Sequence, residues 1–135
     1  MTLAVAWERT VGRHSELVFA SDSRLSQGGK WDACPKLFAL PRSDALLAIA
    51  GSTFWAYPFA MQIVNTIGAW APSRNHERDL RELPRHLRAL INSMVEQGDT
   101  FTGGYNEPLT ELLIGGWSWQ ASSAVQALAV PLRAC

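Results

Sequence analysis

Apolar residues in the first half of the chain form four short runs that predict two β-hairpins. "TLAVAW" (Thr2 to Trp7) and "ELVFASDS" (Glu16 to Ser23) flank the segment "ERTVGRHS", in which Gly12 supplies a turn. "KLFALP" (Lys36 to Pro41) and "DALLAIAG" (Asp44 to Gly51) are separated by only two polar residues. Each pair of runs is therefore expected to fold back on itself as a hairpin.

The pattern changes after these strands, and a helix is predicted from Ser52 to about Trp70. Ser52 is a candidate cap for its first turn. Pro58 is expected to delay the start of the helix or to kink it, and Pro72 to end it. The apolar positions recur at spacings of three and four: Phe54, Tyr57, Met61, Val64 and Ile67.

A second helix is predicted to begin near Pro84 and to stop near Gly98. Charged residues occupy the rest of its circumference. Its apolar face consists of Leu80, Leu83, Leu87, Leu90, Ile91, Met94 and Val95.

The end of the chain returns to strand character. A glycine-rich loop, "GDTFTGGYNEP", precedes the strand-like runs "LTELLIGGWSW" and "AVQALAVPL". Gly115 and Gly116 lie inside the first of these runs, which indicates close packing or a bulge. Several strands are apolar at consecutive positions, so both of their faces should be buried. The pattern favours one α+β domain over residues 1–135, built as a four-layer αββα sandwich with two sheets inside and helices outside.

Composition narrows the classes of partner. Twelve basic residues balance twelve acidic ones, so no net charge favours nucleic acid or an anionic membrane. The arginines between Arg74 and Arg88 alternate with acids and are interpreted as a solvated helix face. Two cysteines make neither a disulfide framework nor a paired metal site, and this favours a reduced, cytoplasmic setting. The N-terminus lacks the features of a signal peptide, and no apolar run is long enough to span a membrane.

Thr2 is the residue with the clearest catalytic potential. Removal of Met1 would expose a threonine that carries both a hydroxyl and a free α-amine, and the amine can act as the general base for its own hydroxyl. Such a nucleophile needs a cation, an acid that holds the cation, and a backbone donor for the oxyanion. Lys36, Asp22 and the Gly51 amide, each at the end of an apolar strand, are candidates for these roles. Cys34 is a weaker alternative nucleophile, because a free cysteine between apolar neighbours is usually inert.

Simpler interpretations of the same residues stay open at this point. Asp22 and Arg24 could pair with each other at a strand end, and Lys36 could be the solvated first residue of a strand. The six tryptophans are expected to serve as core or subunit-contact residues rather than as a ligand cage.

Several segments, taken in their order along the chain, resemble the proteasome-type N-terminal-nucleophile threonine hydrolases, including bacterial proteasome-related peptidases. The resemblance covers nearly the whole chain. The segments that carry it are "TLAVAW", "LVFASDSR", "PKLFAL", "LLAIAG" followed by a helix, and "LLIGGWS".

The resemblance implies a role for each catalytic residue. Thr2 would be the nucleophile, Asp22 and Arg24 the acid and arginine of the "SDSR" motif, and Lys36 the active-site lysine. Gly51 would line the oxyanion hole.

The resemblance also implies how a peptide substrate would bind. An extended peptide would lie along the segment from Leu25 to Gly28, which includes Ser26. Ile49 and Thr53 would flank the specificity pocket.

Beyond the site, the resemblance implies a threonine endopeptidase that cleaves peptide or amide bonds as a homo-oligomeric ring, without a metal or organic cofactor. Family members continue into further helices and strands, so this chain is expected to be part of a longer domain. One alternative is a non-catalytic proteasome-like subunit that serves structure or assembly. Another is a different amide hydrolase on the same scaffold.

Overall fold

The computed structural model describes residues 3–25, 29–99 and 110–131 of the chain. The strands in these ranges are β1 (Ala4–Val11), β2 (His14–Ser21), β3 (Leu37–Ala39), β4 (Ala45–Gly51), β5 (Thr110–Ser118) and β6 (Ser123–Pro131). The helices are α1 (Thr53–Ala69), α2 (Ala71–Arg74) and α3 (Leu83–Asp99), the last preceded by a 3₁₀ turn, Leu80–Glu82.

The first predicted hairpin is confirmed, but its strands are longer than expected. β1 and β2 pair antiparallel from Ala4 opposite Ser21 to Val11 opposite His14. Most of "ERTVGRHS" is therefore strand, and the connection shrinks to Gly12 and Arg13. Gly12 has a φ of 62°, which glycine adopts without steric cost and which two-residue hairpin loops require at their first position.

The second predicted hairpin is confirmed as part of a larger sheet. β3 and β4 pair antiparallel, and the complete sheet has the order β3-β4-β5-β6 with every neighbour antiparallel. β4 is deeply buried: Leu47 and Ala48 are fully buried, although their side chains point to opposite faces. Burial on both faces explains why "ALLAIA" shows no alternation.

The first helix begins where its pattern predicts, although three details differ. Ser52 occupies the cap position, but its side chain makes no capping hydrogen bond; its carbonyl instead accepts the Thr110 hydroxyl at 3.1 Å. Pro58 lies inside α1 without delaying its start. Pro72 does not simply terminate α1, because it lies within the separate short helix α2 near its N-terminus, where a missing N–H leaves no helical hydrogen bond unmade.

The second long helix packs by its predicted face. Leu83, Leu87 and Ile91 are fully buried, and Met94 and Val95 are partly buried. These side chains join the buried face of α1 and the inner residues of β4 and β5 in one hydrophobic core. Burying a leucine-sized side chain is worth roughly 1.5–3 kcal/mol, so this cluster is the main source of stability.

A buried carboxylate joins the start of the second helical region to the end of β5. Asp79 accepts the Arg81 N–H at 2.9 Å and the Gln120 N–H at 3.1 Å. It also accepts the Ser118 hydroxyl at 2.9 Å. Burial alone would raise the pKa of Asp79, but these donors favour the carboxylate and bring the pKa below its usual value. Asp79 therefore caps the 3₁₀ turn and ties it to the sheet.

The glycine pair in β5 lies where the chain needs close approach, as the sequence indicates. A Cβ on Gly115 would lie 2.7 Å from the Phe19 ring of β2, and one on Gly116 would lie 1.9 Å from the Asp44 carbonyl oxygen. The β5–β6 register also shifts between Ile114 and Gly115, an irregularity of the bulge type. The two glycines let the hairpin and the turn before β4 approach the sheet.

The architecture is thus mixed α+β, with two antiparallel sheets and helices. None of the helices in the described ranges has the combination of length and apolarity needed to cross a membrane.

We expect Gly116→Ala to destabilise the fold by roughly 2–4 kcal/mol, because the new methyl group would overlap a backbone oxygen that cannot rotate away. Urea unfolding of the variant measures this directly. Ser43→Ala, at an exposed position next to Asp44, is the control and should change stability by less than about 0.5 kcal/mol. Equal stability of Gly116→Ala and the unmodified chain would contradict the close approach.

Candidate active site

Asp22 and Lys36 form an ion pair at one end of the hairpin and the four-stranded sheet. Asp22 follows β2, and Lys36 immediately precedes β3. The Lys36 Nζ donates to Asp22 Oδ2 at 2.9 Å and to the Arg24 carbonyl oxygen at 2.7 Å. The structure therefore brings together two residues that are 14 positions apart, and Lys36 is not a solvated strand residue.

The two members of the pair differ in exposure. The Lys36 side chain is 2% exposed, whereas the Asp22 side chain is 33% exposed. A buried ammonium is unfavourable unless it is paired and hydrogen-bonded, and both conditions are met here. The hydrogen bond from Lys36 and that from the Leu3 N–H lower the pKa of Asp22 below its ordinary value. Asp22 is consequently a carboxylate at neutral pH and supplies the counter-charge to the lysine.

Asp22 also fixes the start of β1. The Leu3 N–H donates to Asp22 Oδ1 at 2.9 Å, and the Asp22 N–H donates to the Leu3 carbonyl at 3.1 Å. One carboxylate thus binds the Lys36 ammonium with one oxygen and the backbone of residue 3 with the other.

The side chain of Arg24 points to a different partner. Its Nε donates to Asp32 Oδ1 at 2.6 Å in an exposed ion pair. The pairing of Arg24 with Asp22 that the sequence left open is therefore not what the structure has. The Arg24 carbonyl accepts from Lys36, and the Arg24 side chain binds Asp32, which lies between β2 and β3 in the sequence.

A second set of hydrogen bonds holds the chain just before Lys36. The Tyr57 hydroxyl of α1 donates to the Pro35 carbonyl at 2.7 Å and contacts the Cys34 sulfur. Burial is the main cause that raises the pKa of Tyr57 above its usual value, and the hydrogen bond with Cys34 adds to it. The Tyr57 hydroxyl therefore stays a neutral donor. Cys34 is 4% exposed, which agrees with its interpretation as an inert buried thiol.

The remaining described candidates lie on β4 and at the start of α1. The Ile49 N–H donates to the Lys36 carbonyl at 3.0 Å, while the Ile49 side chain is 2% exposed in the core and offers almost no surface to a ligand. Gly51 is exposed, has a φ of 95°, and lies two residues farther along β4, about 7 Å beyond Ile49. Thr53 is half-buried as the first residue of α1.

Three predicted site residues lie outside the described ranges: Thr2, Ser26 and Gly28. The nearest described residue to Thr2 is Leu3, whose backbone is bound to Asp22.

Sequence reasoning missed three contributors to this arrangement. The helical spacing places Tyr57 only on the apolar face of α1, no pattern distinguishes Asp32, and the Leu3 N–H has no side-chain signature. Tyr57 alone had a possible signal, since a hydroxyl on a half-buried aromatic position requires a partner.

Within the described ranges, no group of three or more His, Cys, Asp or Glu residues could hold a metal ion. Comparison of the sequence with models of protein families and with curated proteins gives no match in either case.

We expect Asp22→Asn to destabilise the fold more than Lys36→Met does. The first change leaves a buried ammonium without its counter-charge, whereas the second leaves a carboxylate that is one-third exposed and still bound to Leu3. Losses of about 2 and at most about 1 kcal/mol are expected, after allowance for the exposure of Asp22. Urea unfolding at pH 7 measures both.

Asp32→Asn is the matched control, because it breaks an exposed pair and should cost less than about 1 kcal/mol.

The pH dependence of the stabilisation by Asp22 follows from its lowered pKa. Its contribution is present above its ordinary pKa of 3.8 and is lost as the pH falls through the lower folded value. The difference between Asp22→Asn and the unmodified chain should therefore shrink in strong acid, and a difference that stays constant would contradict the pairing.

Proposed function

We propose that the chain is a threonine-type peptidase or amide hydrolase of the proteasome type, with Thr2 as its nucleophile after removal of Met1. The observation that carries the proposal is the Lys36–Asp22 pair, whose carboxylate also binds the backbone of Leu3, the residue after Thr2. The same carboxylate thereby binds a buried cation and the backbone of the residue that follows the proposed nucleophile.

Each component of the pair has a place in this chemistry. The Lys36 ammonium would stabilise the alkoxide character of the threonine oxygen, as a positive charge lowers the pKa of a neighbouring acid. Asp22 would supply the counter-charge and hold Lys36 in position. Gly51, at the end of β4, would supply its N–H to the oxyanion.

The reaction would proceed in two stages. The Thr2 α-amine accepts the hydroxyl proton while the oxygen forms a bond to the substrate carbonyl carbon. The C–N bond then breaks, and the leaving amine takes that proton, so an ester to Thr2 remains. The Thr2 α-amine then deprotonates a water molecule, which attacks the ester carbonyl. The carboxylic acid product leaves, and the Thr2 oxygen takes back its proton from the α-amine.

Peptide or protein substrates and a ring of identical subunits in the cytoplasm belong to the same proposal. Ser26 and Gly28 would border the peptide, and Ile49 and Thr53 would flank its pocket. Since Ile49 is buried, Thr53 is the better supported of these last two. Exposed aromatic side chains such as Trp31 and Phe54, each about 60% exposed, are available for contacts between subunits.

The proposal predicts that Thr2→Ala lowers kcat/KM by at least about a thousandfold on a panel of fluorogenic peptides that differ in the residue before the scissile bond. Thr10→Ala is the matched control, since it removes an exposed threonine hydroxyl from β1, and it should keep full activity. Melting temperatures of both variants equal to that of the unmodified chain would show that any loss of activity is not a folding defect.

Intact-mass measurement of the purified chain provides the independent check. Loss of the Met1 mass is expected, whereas retention of Met1 would block the α-amine and overturn the mechanism. Full activity of Thr2→Ala would overturn it as well. A folded, Met1-processed protein without activity on any peptide would favour the alternative, a non-catalytic assembly subunit.

A further inference from the structure

A cavity of about 750 Å³ lies between the hairpin and the four-stranded sheet, away from the Lys36–Asp22 pair. Its walls include Leu17 and Phe19 of β2 and the turn from Leu40 to Asp44 between β3 and β4. Lys36 precedes β3, whereas this turn follows it. The cavity and the proposed active site therefore occupy opposite ends of the same strand.

Arg42, one of the residues that line the cavity, carries a buried guanidinium with an unused donor. The Arg42 side chain is fully buried and binds Asp44 through two hydrogen bonds, of 2.6 and 2.8 Å. Its Nη2 also donates to the Arg78 carbonyl at 3.2 Å. Its Nη1 is buried and has no hydrogen-bond partner in the described part of the chain. A buried N–H without an acceptor is unfavourable, and because Nη1 has almost no accessible surface, a ligand's acceptor would reach it only after a shift of the Arg42 side chain.

Further basic groups stand beside Arg42. Arg74, an exposed residue at the end of α2, and His76, with a φ of 62°, both line the cavity. The His76 Nε2 lies 3.9 Å from Asp44 Oδ1. Among the described lining residues, two arginines thus stand against a single carboxylate, Asp44, which is already paired. The local charge is positive, although the chain as a whole is neutral.

The opposite wall is apolar. It includes Leu17, Phe19 and Trp117, and Gly115 between them contributes only backbone. Trp117 is 46% exposed, and its backbone N–H donates to the Asp44 carbonyl at 2.8 Å. A ligand that matches both walls has an anionic head for the arginines and an apolar body for the aromatic side.

We infer that this cavity is a binding site for a small amphipathic anion, a carboxylate with an apolar chain or ring. The head group accepts hydrogen bonds from Arg42 and Arg74, and the body lies against Phe19 and Trp117. The ligand would bridge the two sheets, so its binding would also stabilise the hairpin, which as a two-stranded sheet is marginal by itself. The site does not depend on Thr2 or on the proposed peptidase activity.

Titration of the full chain with hexanoate tests the site, with acetate, hexanol and inorganic phosphate as comparisons. The readout is the indole N–H signal of Trp117 in ¹H–¹⁵N spectra, assigned by its absence from Trp117→Phe. Hexanoate is expected to shift this signal saturably and to raise the melting temperature. The other three compounds, which lack either the charge or the apolar body, should bind at least about tenfold more weakly.

The Arg74 side chain is exposed, and its Nη1 donates to the Gly68 carbonyl at 3.0 Å. Arg74→Gln should therefore weaken hexanoate binding about fivefold or more with only a small loss of stability. Arg85→Gln, an exposed arginine of α3 that does not line the cavity, is the control and should bind normally. Arg42→Met should abolish binding if it folds; if it does not, Arg74→Gln alone decides.

Several results would overturn the inference. They are an unshifted Trp117 signal, hexanol or phosphate binding as tightly as hexanoate, and unchanged binding by Arg74→Gln.

Discussion

Burial of the Lys36 ammonium is the constraint on which this end of the molecule depends. A charge with 2% exposure requires acceptors in fixed positions, and Asp22 and the Arg24 carbonyl provide them. Both acceptors follow β2, whereas Lys36 precedes β3. Satisfying the charge therefore forces the end of the hairpin and the edge of the four-stranded sheet together. Because Asp22 also binds Leu3, the backbone just before β1 is held at the same place.

The other end of the same interface is organised by close approach instead of charge. Gly115 leaves room for Phe19, and Gly116 leaves room for the Asp44 carbonyl. Here a buried arginine, Arg42, keeps one N–H without an acceptor. At one end, the Lys36 ammonium donates to acceptors among the described residues. At the other end, the buried Arg42 Nη1 has no acceptor among them. This difference is why we propose catalysis at the first end and ligand binding at the second.

Much of the fold could be predicted because it rests on local periodicity. Both hairpins, the two long helices, and the buried face of α3 follow from apolar spacing, and the glycine pair in β5 correctly indicated close packing. The errors occur where tertiary contacts override a local preference. The Ser52 side chain does not cap α1, although its carbonyl accepts the Thr110 hydroxyl, and the pairing of β1 and β2 extends through most of the segment expected to join them.

The candidate site divides in the same way. Charges at strand ends indicated that Asp22 and Lys36 belong together, because such ends meet at a common edge. The partner of Arg24 could not be predicted, since Asp32 reaches it only through the folded connection between β2 and β3. The role of Tyr57 depends on how α1 packs beside Pro35, which sequence spacing does not contain.

Covalent trapping tests the central claim most directly. A peptide-like β-lactone acylates an activated hydroxyl or thiol by ring opening, and peptide mapping by mass spectrometry locates the adduct. We predict a single ester at Thr2 that forms much more slowly in Lys36→Met, because the buried cation that favours the alkoxide is gone. An adduct at Cys34 instead, or labelling of Thr2 at the same rate without the lysine, would contradict the account.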